Sequence, residues 1–112
     1  MTTYIQVVTT LNDKKTAAEI AGALLEKKLV ACVQILPCQS MYRWQGKIEE
    51  SEEYFCIMKS SSRLYPKLEK AIRESHPYDV PEILAVEVVA GNREYLDWLD
   101  QELLFIPPEY KA

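Results

Sequence analysis

Ser40-Met41-Tyr42-Arg43-Trp44-Gln45-Gly46-Lys47-Ile48-Glu49-Glu50-Ser51-Glu52-Glu53-Tyr54 reads as a hairpin. Gln45-Gly46 is a two-residue turn, because Gly46 tolerates the positive φ that tight hairpins demand. Before the turn, Ser40, Tyr42 and Trp44 fall on one face of an extended chain; after it, Tyr54, Cys56 and Met58 alternate with Phe55 and Ile57 as the strand runs to Lys59. Upstream, Leu29 to Leu36 (LVACVQIL) is a largely buried strand that Pro37 interrupts before the hairpin resumes. The two arms together reach ~15 residues each, against ~5–6 for an ordinary strand.

Outward from the hairpin the remaining elements follow in order. Tyr4 to Thr10 (YIQVVTT) is β-branched and apolar, a first strand rather than a secretory leader. Asn12-Asp13 caps a helix to about Lys28, whose apolar stripe is Ala17, Ile20, Ala21, Leu24 and Leu25. After the hairpin, Ser60-Ser61-Ser62 offers caps for a second helix with Leu64, Leu68 and Ile72 at four-residue spacing. Pro66 requires that this helix place it in the first turn, and Pro77 requires that it stop by about Ser75. Residues 76–82 (HPYDVPE) form a loop stiffened by two prolines, with the His76 ring expected to cap the helix end. Ile83 to Ala90 is a fourth strand; Gly91-Asn92 caps a third helix from Arg93 to about Leu104, and Pro107-Pro108 breaks any continuation.

The order β-α-β-β-α-β plus a closing helix is the ferredoxin-like plan, an α+β fold with helices on one face of a four-stranded antiparallel sheet and residues 1–112 as one domain. Two helices cannot cover a hairpin that, at ~3.3 Å per residue, would extend about 50 Å. The overhang, carrying Tyr42, Trp44, Ile48, Tyr54 and Phe55, would expose apolar surface and unpaired edges. Pairing with other copies of the chain removes both costs, so a closed homo-oligomer is expected.

The chain has 112 residues, a net charge of −4 and 48% hydrophobic residues, the profile of a globular domain without the basic stripe of a nucleic-acid binder. No apolar run approaches the ~18–20 residues of a membrane span. With three glycines, no phosphate-cradling motif can be written, and a single histidine with no nucleophile motif points away from an enzyme. Cys32, Cys38 and Cys56 are odd in number and lack CxxC spacing, so they read as reduced thiols in a cytoplasmic protein. One His and three scattered Cys fall short of a four-ligand zinc site within a subunit, yet as soft or borderline ligands they suit copper or zinc at a shared site. Lys59 beside Ser60-Ser61-Ser62 reads either as a snorkelling lysine or as an anion contact at a helix start. The acidic run 49–53 reads either as solvated or as a cation-attracting patch.

Leu29-Val30-Ala31-Cys32-Val33, then Tyr42-x-Trp44-x-Gly46, Lys59-Ser60, His76-Pro77-Tyr78-x-x-Pro81-Glu82-Ile83 and Tyr95-x-x-Trp98-Leu99 occur in order. Over about residues 4–104 this pattern resembles the CutA divalent-cation tolerance family. The resemblance implies a ferredoxin-like homotrimer located in the cytoplasm. It implies a role in tolerance of copper and other divalent metals, and no cofactor needed for folding. It implies likeness to the trimeric PII-type signalling proteins, whose ligands sit in clefts between subunits. On that footing Cys32, His76 and Glu82 are metal candidates, and Tyr42, Trp44, Lys59, His76, Tyr78 and Glu82 are candidates for an intersubunit cleft. Thr9 stands where some members carry a cysteine proposed to hold copper.

Overall fold

The computed structural model describes residues 3–106. Its elements are β1 (Tyr4–Leu11), α1 (Lys14–Glu26), β2 (Cys32–Trp44), β3 (Lys47–Ser61), a 3-10 turn (Ser62–Leu64), α2 (Tyr65–Ser75), β4 (Leu84–Glu87) and α3 (Arg93–Glu102). The sheet is antiparallel in the order β2-β3-β1-β4, the ferredoxin-like arrangement expected from the sequence.

Local chemistry sets most boundaries. The Asp13 carboxylate accepts the Thr16 amide and hydroxyl, both at 2.9 Å, so Asp13 is the cap of α1. Gln45 and Gly46 take φ of 52° and 79°, the doubly positive turn that matches strand twist. Pro66 lies in the first turn of α2, where its missing N–H goes unneeded.

Five sequence expectations need correction. Pro37 does not interrupt β2: the strand runs on through its pair with Tyr54, because β2 is an edge strand and has no outer neighbour to receive a proline N–H. Leu29, Val30 and Ala31 precede β2 rather than forming its start, although Leu29 and Val30 are buried in the core. Ser60 and Ser61 belong to β3; Ser61 stands at the N-cap position of the 3-10 turn without a side-chain cap bond, and the Ser60 hydroxyl instead donates to the Leu29 carbonyl at 2.7 Å. β4 is four residues, not eight, although Val88 still donates to the Tyr4 carbonyl. Asn92 precedes α3 without a side-chain cap bond. The expected break at Pro107-Pro108 lies outside the described residues.

The core lies between one face of the sheet and the helices α1 and α2. Ile5, Val7 and Leu11 of β1 and Cys56 and Met58 of β3 point into it, meeting Leu24, Leu64, Leu68 and Ile72. Thr9 sits in the same row, opposite Cys56 and 1% exposed. Burying a Leu or Ile side chain contributes about 1.5–3 kcal/mol each, so this row is the main stabilising element.

Among the described residues the opposite face has no such cover. Side chains alternate along a strand, so Val8, Phe55, Ile57, Leu36, Leu84 and Val86 share it. Leu36, Leu84 and Val86 are 48%, 56% and 55% exposed. α3 approaches one end, where the Tyr4 hydroxyl donates to Asp100 at 2.6 Å. That bond, with burial, pushes the Tyr4 phenol up to about 12.

Candidate functional site

The hairpin outruns the sheet. Pairing between β1 and β3 ends at Leu11 and Tyr54, whereas β2 and β3 stay paired from there to Trp44 and Lys47. The free part begins at Glu53. Tyr54 and Phe55 therefore belong to the body, not the overhang: Tyr54 packs against the core and Phe55 pairs with Thr10. The free ribbon keeps Tyr42, Trp44 and Ile48, which are 44%, 48% and 67% exposed.

At the root of this ribbon, three elements meet through polar side chains. His76 ends α2 in extended backbone ahead of Pro77. Its ring does not cap the helix. Nε2–H donates to the Thr10 carbonyl of β1 at 2.9 Å, and Nδ1 accepts the Tyr78 amide at 3.2 Å. The two bonds define one neutral tautomer, with the proton on Nε2. Burial pushes the His76 pKa down, and the Thr10 bond and the Glu53 charge oppose that shift. The Tyr78 ring lies edge-on to His76 at 4.7 Å, and its hydroxyl donates to Glu53 Oε2 at 2.6 Å. Burial, then the Glu53 bond and charge, pushes the Tyr78 phenol well above its ordinary range.

Among the other candidates, Tyr42 lies near enough to add a minor electrostatic contribution to the Tyr78 shift, and the rest lie apart from this cluster. Lys59 and Cys32 are directly opposed on β3 and β2, and the Lys59 ammonium donates one of its three N–H groups to Gln34 Oε1 at 2.9 Å. Burial first, then the adjacent Cys32 thiol, raises the Tyr95 pKa, which sets Cys32 beside α3. Glu82 is exposed in the loop before β4. Tyr42 lies near Ser51 across the ribbon, at 3.5 Å between hydroxyls, and Trp44 stands at the tip.

Of the predicted residues, the fold joins His76 and Tyr78 and leaves Cys32, Lys59 and Glu82 separate. It adds Glu53 and Thr10. Glu53 was legible only as part of an acidic run, although its even spacing from Phe55 and Ile57 places it on their face. Thr10 contributes a backbone carbonyl, for which sequence carries no signal.

Among the described residues, no three His, Cys, Asp or Glu side chains converge as a metal cage. A ligating imidazole needs a free lone pair, and the Tyr78 amide already uses that of Nδ1. Thr9 has no thiol and sits buried in the core. A copper or zinc centre does not fit the donor set of the described residues of one subunit.

The family model for the CutA1 divalent ion tolerance protein matches residues 5–102. The chain belongs to the CutA1 family. A divalent-cation tolerance protein CutA of Thermus thermophilus is 46% identical over 94 residues, covering 83% of this chain and 91% of the relative. Protein CutA of Mus musculus is 45% identical over 93 residues, 82% of this chain, and the chain spans only 52% of that longer relative. The solved structure of a protein described as the periplasmic divalent cation tolerance protein CutA of Archaeoglobus fulgidus superposes with a TM-score of 0.87 at 36% identity, covering 88% of this chain and 97% of its own. The four-stranded sheet and long hairpin are thus the CutA1 fold. Among the described residues no helix is long and apolar enough to cross a membrane.

Proposed function

We propose that this CutA1 chain acts without catalysis in tolerance of divalent metal ions, as a homotrimer whose subunits join through the uncovered face of the sheet. The observation that carries this reading is that face: Leu36, Leu84 and Val86 lie exposed beside Val8, Phe55 and Ile57, opposite a fully packed core. Contiguous apolar surface of this kind marks an interface. The free ribbon adds Tyr42 and Trp44, the residue types enriched at interface centres. Three copies is the count the family resemblance supplies. The names of the relatives support the link to divalent cations.

No single subunit offers a metal cage among the described residues, so the proposed route to tolerance runs through the assembly rather than through a metal held by one chain. The test compares a strain lacking the protein with strains carrying the wild type or Ile57→Glu, grown against rising copper and zinc. Tolerance restored by the wild type and lost with assembly in the variant is the expected result. Equal tolerance in all strains would refute the role.

A second reading treats the clefts between subunits as a ligand site, lined by Tyr42, Trp44, Lys59, His76, Tyr78 and Glu82. It is favoured by the half-exposed Tyr42 and Trp44 on the free ribbon. Substituting Trp44 or Glu82 with assembly intact separates the two: this reading requires lost tolerance, and the first requires none.

A further inference from the structure

The uncovered face of the sheet is apolar at its centre and carries a cation at one end. Cys32, Lys59 and Gln6 form a row across β2, β3 and β1, next to the row that holds Ile57 and Val8. Lys59 is half-buried there, and its ammonium donates to the neutral Gln34 amide. The ion pairs among the described residues are Lys70–Glu74, Glu69–Arg73 and Arg93–Asp97, and none includes Lys59. Beside this row Tyr95 and Trp98 of α3 lie half-exposed, their ring centroids 5.6 Å apart, and the Cys32 thiol borders Tyr95. Covering this face with another copy strips water from the ammonium. A cation that loses water without gaining a carboxylate is costly, so the covering surface has to bring one.

The free ribbon carries a matching set. Side chains alternate along its strands, so Tyr42, Trp44, Glu49 and Ser51 continue the uncovered face, while Gln39, Glu50 and Glu52 point the other way. Two contacts agree with that alternation: the Tyr42 and Ser51 hydroxyls lie 3.5 Å apart on one side, and Gln39 Nε2 donates to Glu50 at 3.1 Å on the other. On the first side Glu53 is buried and already holds the Tyr78 hydroxyl. Glu49 is exposed, without a side-chain partner among the described residues, and stands directly opposite the half-exposed Tyr42. Each chain therefore has a carboxylate beside aromatic rings at one end and an ammonium beside aromatic rings at the other. They cannot meet within one chain, because at ~3.3 Å per residue the stretch of β3 from Glu49 to Lys59 is about 33 Å long. Two different patches that fit each other join copies head to tail, the heterologous contact from which closed rings are built.

We propose that the ribbon of one copy lies along the uncovered face of the next, with Glu49 paired to Lys59 of the partner subunit and Tyr42 set against the partner's Tyr95. This rests on the homotrimer reading and names the residues that fix the direction and register of the ribbon in it. Charge pairs across an interface serve that purpose by penalising wrong registers.

Subunit exchange between two mass-labelled pools of the full chain, followed by native mass spectrometry, tests the pair. Lys59→Glu sets two carboxylates together, and Glu49→Lys sets two ammonium groups together. Each is expected to speed exchange at least about tenfold with the far-UV spectrum retained. The double variant restores the pair in the opposite sense, and should exchange more slowly than either single variant, close to the wild-type rate. Should a single variant fail to assemble, recovery of the assembled mass in the double variant decides the same question. A double variant no slower than the slower single variant, or no better assembled, would overturn the proposal. So would Glu49→Lys exchanging at the wild-type rate, since Lys59 would then face solvent or a small anion instead of the ribbon. A wild type with the mass of one chain would instead overturn the homotrimer reading, so the two failures stay distinct.

Discussion

Thr9→Val is expected to stabilise the protein. Thr9 lies in the core-facing row of β1, directly opposite Cys56, and is 1% exposed. Its Oγ1 is buried with no hydrogen-bond partner among the described residues. A hydroxyl taken from water without a replacement bond costs about 1–3 kcal/mol. Valine keeps the shape and the β-branched preference for a strand, and exchanges the hydroxyl for a methyl whose burial contributes about 0.8 kcal/mol. Steric fit around the new methyl offsets part of this, so the net gain should be about 1–2 kcal/mol. Urea unfolding at fixed protein concentration, followed by far-UV circular dichroism, reads it as a raised midpoint with an unchanged slope. A midpoint at or below that of the wild type would refute the reasoning, because it would mean the hydroxyl is bonded in solution. The position also bears on metals: its neighbours are core residues, so Thr9→Cys would place a thiol facing Cys56 in the interior rather than at an accessible site.

His76→Gln should remove an acid-sensitive part of the stability. The ordinary histidine pKa is 6.5 and the folded value is lower, so on acidification the unfolded chain binds the proton first. The contribution of the neutral ring is fully present above about pH 6.5 and is lost as pH falls from there towards the depressed folded value; a wild type whose stability curve matches that of the variant between pH 7 and 5 contradicts this. Gly46→Ala should destabilise the hairpin by about 1 kcal/mol, because φ is +79° there with open space around the Cα, leaving backbone strain as the only cost; a thermal midpoint equal to wild type would count against it. Ile72→Ala, at a fully buried core position, should cost about 2–5 kcal/mol in the same unfolding assay, and a loss under 1 kcal/mol would show a core able to collapse around the gap.

The sequence carried the periodic parts of this fold and missed those decided by neighbours. The stripe Ala17-Ile20-Ala21-Leu24-Leu25 and the Gln45-Gly46 turn depend on local spacing and backbone preference; the turn stands as read and so does the stripe apart from its last member, since Leu25 is 42% exposed at its edge. Pro37 was misread because a proline's effect depends on whether its strand lies at the edge, which only the topology decides. Ser60 looked like a cap because a run of hydroxyls before a helix usually is one, whereas the strand continues and its hydroxyl serves the Leu29 carbonyl. At the candidate site, His76 and Tyr78 were legible from the proline-flanked motif. Glu53 was hidden among similar glutamates, and Thr10 offers only its main chain.

The uncovered face of the sheet carries the functional argument, and the mass of the assembly in solution tests it most directly. Sedimentation equilibrium of the full chain at micromolar concentration should give a mass three times the 12.9 kDa of one chain. Ile57→Glu, which sets a charge amid Leu36, Val8 and Leu84 while leaving the helix-covered core untouched, should shift that mass to the single chain with the far-UV spectrum retained. A wild type that sediments as one chain, or a variant that keeps the full mass, would contradict the account.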